Sequence, residues 1–154
     1  MKTLVIGLGN PILGDDGVGW RVAQEVKKQL PAASRGVDVD CLSLGGISLM
    51  EHLIGYDRAI LIDAFGLDER VGSILVLKLS DLPNYSAFHT TSTHDTSLQN
   101  AIELGRSLGA HLPDDVMVVG ITTEKSFEFS ENLTSDVQAA VPIATKATLE
   151  LLEV

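Results

Sequence analysis

The chain is poor in three things, and each shortage narrows its chemistry. Its 154 residues include one cysteine, Cys41. No disulfide can therefore form within the chain, and no CxxC pair exists for zinc or thiol redox work. Cationic side chains are scarce as well, with 11 Lys+Arg against 21 Asp+Glu and a net charge of −10. A surface of that sign repels phosphate backbones and anionic lipid, so neither nucleic acid nor a membrane surface is the expected partner. Long apolar runs are missing too. No stretch reaches the length that spans a bilayer. The opening MKTLVIGLGN is broken by glycines, is too short for a signal sequence and lacks a small-residue cleavage site. Together these absences predict a cytoplasmic protein. Several enzyme signatures are absent in the same way: there is no GxSxG elbow and no HExxH, and Cys41 falls in a strand pattern without a histidine partner.

What is present is the composition of an ordinary globular domain, 45% hydrophobic and 21% charged. The length suits a single domain over residues 1–154, and no repeat, linker or low-complexity tract divides it. Apolar runs alternate with helix-period segments. That pattern predicts an α/β fold of three layers: a doubly wound, mostly parallel sheet of about five strands with helices on both faces. TLVIGL at residues 3–8 reads as a central strand covered on both sides. Val18, Val22, Val26 and Leu30 recur every fourth residue and give a helix stopped by Pro31. VDVDCLSL at 37–44 alternates as a strand, 47–55 reads as a short helix, and RAILIDAFG at 58–66 is a second buried strand. GSILVLKL at 72–79 follows through a short turn, which predicts a strand antiparallel to its neighbour. A polar segment at 80–97 precedes a helix with Leu98, Ala101, Ile102, Gly105 and Leu108 on one face. DVMVVGI at 115–121 is the last strand. Ser135 with Gln138 fits a capping box for a C-terminal helix that Pro142 should kink.

In such a sheet, ligands bind in the crevice beyond the carboxyl ends of the strands. Three sequence features fall there. The first is GLGNPILGDDGVGW at 7–20, where glycines, an Asn10-Pro11 step and two adjacent aspartates join a strand to a helix. Its spacing is GxGxxxxG rather than GxGxxG, no GK[ST] follows, and Asp15 and Asp16 would repel an anion, so a phosphate loop does not fit. One aspartate can cap the helix; that leaves the other without a structural reason. The second feature is Asp63, a carboxylate interrupting the apolar run AILIDAF. Burying it requires a hydrogen-bond partner, a metal or a catalytic role. The third is the loop that holds His89 and His94, with Asp95 as a cap or orienting group. Two carboxylates and an imidazole suit a divalent transition metal with open coordination positions. His52 and His111 fall on predicted helix or loop surface and are expected to be solvated.

These residues in this order resemble the hydrogenase maturation proteases, endopeptidases that trim the C-terminal extension of the [NiFe] hydrogenase large subunit. The resemblance covers nearly the whole chain through LVIGLGNPILGDDGVG, GGISLMEHL, LIDAFG, STHDTSL and LTSDVQAAVPIA. It implies that Asp16, Asp63 and His94 form the metal-binding and catalytic site. It also implies that the metal is nickel carried by the substrate, a large-subunit precursor, with other divalent ions able to occupy the same position. Two residues depart from the family pattern. The first acidic position is often Glu and is Asp16 here. Several members carry an aspartate before the paired glycines, where this chain has Leu44 followed by Gly45 and Gly46. Leu44 motivates one alternative, a module of the same fold that binds metal or partner without cleavage. GLGNP motivates another, a peptidyl-tRNA hydrolase; the charge of −10 and the lack of any histidine between the motif and His52 weigh against it.

Overall fold

A computed structural model describes residues 1–67, 70–82, 97–125 and 128–153. Its five strands form one sheet in the order β2-β1-β3-β5-β4. β1 (Thr3–Leu8) is buried at every position, as its unbroken apolar sequence requires. It lies between parallel partners, β2 (Val37–Leu42) on one side and β3 (Arg58–Gly66) on the other. β3 in turn pairs in parallel with β5 (Asp115–Thr123). β4 (Ile74–Lys78) is antiparallel, as the short link predicts; its neighbour is β5, which lies between it and β3.

Alternation along the strands sends side chains into two cores. Leu4, Ile6 and Leu8 of β1 join Ala59, Leu61 and Phe65 of β3 beneath α2 (Gly46–Leu53) and α3 (Leu98–Ser107). Val5, Ile60, Ile62, Ala64, Val119 and Ile121 face the other way, against α1 (Val18–Gln29) and α4 (Ser135–Leu152). The result is the expected three-layer α/β architecture with helices on both faces. In α1 the stripe Val18, Val22 and Val26 is fully buried, and Leu30 is the C-cap residue ahead of Pro31.

Two details differ from the sequence expectation. Leu108 is the C-cap of α3 rather than part of its buried face, and it is 79% exposed. The N-cap of α4 is Thr134, so Ser135 is the first helical residue and the Ser135–Gln138 capping box does not form. Gly7 lies inside β1, as the strand read at 3–8 requires. An added Cβ at Gly7 would sit 2.4 Å from the Gly19 carbonyl oxygen of α1, so the missing side chain sets how closely helix and strand approach. α4 continues through Pro142, which lies on its solvent side together with Gln138, the residue whose carbonyl loses its usual donor.

Candidate functional site

The topology fixes where a site belongs. From β1 the chain passes through α1 to β2, and from β2 it passes through α2 to β3 on the opposite side of β1. The two connecting helices lie in opposite layers, so β1 and β3 flank a topological switch point whose crevice opens at their carboxyl ends. Asp16 and Asp63 are the two acidic candidates on the elements that meet there.

The loop after β1 is shaped by backbone constraints. Gly9 has φ 142°, and a Cβ there would fall 1.9 Å from the carbonyl oxygen of Asp16. Only glycine lets the chain pass so close at that angle. Asn10 then organises the turn, its side-chain oxygen accepting from Ile12 N at 3.1 Å and its carbonyl from Leu13 N at 3.1 Å. A 3₁₀ turn over Gly14–Gly17 follows and carries both aspartates. Neither caps α1, whose N-cap is Gly17 with no side-chain bond. That overturns the simplest structural reading of the pair.

The two carboxylates have separate surroundings. Asp15 accepts from Thr134 N at 2.7 Å and from the Thr134 hydroxyl at 2.8 Å, so it ties the start of α4 to the glycine-rich loop. It serves a helix terminus after all, that of a helix 119 residues further on. Asp16 is completely buried, and its Oδ2 accepts from Asn10 N at 2.9 Å. The 3₁₀ turn that holds it packs on β3. Thr134→Val keeps the backbone donor to Asp15 and deletes the hydroxyl. It is expected to cost about 1–2 kcal/mol, read as a fall of several degrees in Tm. An unchanged Tm would show that the hydroxyl contributes nothing to holding α4.

Asp63 also has no exposed surface. Asp63 stands three residues before the end of β3, whose bounds match the strand read at 58–66. It is the first residue of β3 beyond the pairing with β1, which stops at Gly7–Ile62. Its side chain therefore stands where β1 leaves the sheet, on the same face as Leu61 and Phe65 by alternation. Its Oδ1 accepts from Ala64 N at 2.9 Å. Two fully buried carboxylates on the elements that flank this switch point are hard oxygen donors, suited in kind to a divalent cation or a proton transfer.

His94, His89 and Asp95 lie outside the described residues. Among the described residues, no group of three His, Cys, Asp or Glu side chains is placed to hold a metal. His52 and His111 are exposed, as expected, and His111 pairs with Asp57 at 2.9 Å. Leu44 is half-buried and packs against the core beneath α2 and α3, so the position before Gly45 and Gly46 is apolar in use as well as in type. Burial pushes the Cys41 thiol up, with Asp40 adding to the shift and Lys27 opposing it. That is the wrong direction for a nucleophile, which must act as thiolate. Sequence reasoning missed the segment from Ser130 to Thr134. Ser130 N donates to Ile12 O at 2.9 Å and Gly14 N to Ser130 O at 2.8 Å, so this segment braces the acidic loop. Short polar residues carry no periodic signal that would have revealed it.

None of the described helices is long and apolar enough to cross a membrane. Among known proteins, the chain is 26% identical to the hydrogenase expression/formation protein HoxM of Azotobacter vinelandii, over 97% of this chain and 71% of that one. It is also 26% identical to the hydrogenase 2 maturation protease of Escherichia coli, over 99% and 91% of the two chains. The solved structure of the hydrogenase maturating endopeptidase HybD from E. coli superposes with a TM-score of 0.77, covering 99% of this chain and 92% of that one at 26% identity. A hydrogenase 2 maturation peptidase from a Thaumarchaeota archaeon gives a TM-score of 0.71 at 27% identity, over 99% and 98% of the two chains. The family profile described as Hydrogenase maturation protease matches residues 21–151, from just after the glycine-rich stretch almost to the C-terminus. By that match the chain belongs to the hydrogenase maturation protease family, whose members are peptide-bond hydrolases.

Proposed function

We propose that this protein is the endopeptidase that removes the C-terminal extension of a [NiFe] hydrogenase large-subunit precursor once nickel has been inserted. The observation that carries the reading is the family match, supported by the complete burial of Asp16 on the loop after β1 and of Asp63 on β3. Their burial strengthens any interaction with a cation, because little water is present to screen it. In this reading Asp16, Asp63 and His94 engage the nickel borne by the substrate. Engagement fixes the precursor against the crevice and polarises the scissile carbonyl. Water then adds to that carbonyl, the C–N bond breaks, and the products are a carboxylate and a free amine. Asp16 is one methylene shorter than the Glu found at this position in several relatives of the resemblance. In this reading the close packing of its loop on β3 would offset the shorter reach.

The test is to incubate nickel-loaded precursor with the protein and weigh the large subunit by mass spectrometry. Loss of a C-terminal segment is the expected result, and nickel-free precursor should stay intact. Precursor that binds without shortening would replace this reading with a non-cleaving partner module, the alternative that Leu44 raises.

A further inference from the structure

Two large apolar side chains stand unburied beside the acidic loop. Ile12 is 49% exposed and Phe129 is 83% exposed. They are 117 positions apart in sequence, yet both adjoin one backbone bridge. Leu13 and Ser130 form a parallel bridge, with Ser130 N donating to Ile12 O at 2.9 Å and Gly14 N to Ser130 O at 2.8 Å. Ile12 and Phe129 each immediately precede one residue of that bridge, so both exposed side chains belong to the same edge of the acidic loop. The bridge makes them one small apolar platform, four residues from Asp16. An aromatic side chain left almost wholly in water next to a backbone bridge is the type of group that dominates protein–protein contacts.

The flank of this platform is acidic. A cavity of about 440 Å³ opens alongside it, lined by Asp15, Glu124, Glu128, Ser130 and Thr134. Asp15 is already committed to Thr134. Glu124 and Glu128 are exposed and have no cation paired with them among the described residues. The chain as a whole is short of cations, so a cationic segment of another molecule would complement this flank.

We infer that the Ile12–Phe129 platform and the Glu124–Glu128 flank form the docking surface for the precursor polypeptide, seating an apolar side chain next to a cationic one while the adjoining bond is cut. The identity of the occupant rests on the protease reading above, because a substrate bound at Asp16 must pass over this loop. A second copy of this chain is a poor occupant, since its own carboxylates would face the same acidic flank. Docking of this kind binds ground state and transition state alike, so it governs KM rather than kcat.

The experiment measures precursor cleavage and precursor binding with wild type, Phe129→Ser, Ile12→Thr and Glu124→Gln/Glu128→Gln. The organism's own nickel-loaded [NiFe] large-subunit precursors serve as probes. Leu108→Ser and Ile143→Thr, at exposed apolar positions on α3 and α4, are the controls. The expected result is a KM raised at least tenfold by each apolar platform variant with kcat within about twofold of wild type. The double Gln variant should raise KM severalfold and flatten its dependence on salt. Controls should leave both constants unchanged. If wild type cleaves and the platform variants keep its KM, or the controls shift KM equally, the docking surface is wrong and the protease reading stands. If wild type binds precursor without cutting it and Phe129→Ser abolishes binding, the docking surface stands and the protease reading falls. Wild type that neither binds nor cuts any of the precursors overturns both.

Discussion

Replacing Asp63 by Asn is expected to slow precursor cleavage by at least about a thousandfold while the protein stays folded. The amide has the volume of the carboxylate and keeps an oxygen able to accept from Ala64 N, the bond made by Asp63 Oδ1. What it loses is the negative charge. A thousandfold corresponds to about 4 kcal/mol of barrier, within the several kcal/mol that metal-assisted polarisation supplies. The fold should survive the change, because the amide keeps the volume of the carboxylate and the bond from Ala64 N. The paired measurement is therefore cleavage rate and Tm on one preparation: activity lost, Tm close to wild type. Cleavage at a near wild-type rate by Asp63→Asn would remove this residue from the site. A large loss of Tm would make it structural instead.

The contrast between Asp63 and Asp15 shows what a sequence can display. Asp63 was legible because it breaks an otherwise apolar strand, and a buried carboxylate needs a reason wherever it occurs. The strands and helices were legible for the same kind of cause. Val18, Val22 and Val26 fall at helical spacing and end in one core, while Leu61 and Ile62 alternate between the two. Asp15 was harder. Nothing in GDDG separates a residue that grips Thr134 from one that faces the crevice, because the grip spans 119 positions. The geometry separates the two residues: Asp15 is tied to α4, while Asp16 is fully buried in a turn that packs on β3. The cap expected of one aspartate does not form on α1.

The acidic loop is thus held from two sides. Its own backbone folds through Asn10, and the Ser130–Thr134 segment braces it from the far end of the chain. Neither brace could be read from periodicity, since both consist of isolated polar contacts between irregular segments. The same irregular segments carry Ile12 and Phe129 into solvent. Loops tolerate such exposure because backbone bonds rather than burial fix their shape, and a rigid loop is a suitable place for a recognition surface.

Gly19→Ala is expected to destabilise the protein by about 3 kcal/mol or more, with a fall in Tm of about 10 °C or reduced soluble yield. Gly19 is the second residue of α1. A Cβ there would lie 2.4 Å from the Ile62 carbonyl oxygen and 2.4 Å from the Leu8 carbonyl oxygen. Both neighbours are backbone atoms of paired central strands, so no rotamer change can make room. Helix propensity acts in the opposite direction, since alanine is favoured over glycine by about 1 kcal/mol. The steric term should win because relief requires moving the whole helix off β1 and β3. That shift would also disturb the packing of α1 on α4. It would carry the preceding 3₁₀ turn with it, and Asp16 is only three residues upstream. Any Gly19→Ala protein that remains soluble should therefore cleave precursor poorly even below its melting temperature. A variant with wild-type Tm would show that α1 can stand further from the sheet, and full activity in it would separate the position of Asp16 from the packing of the helix.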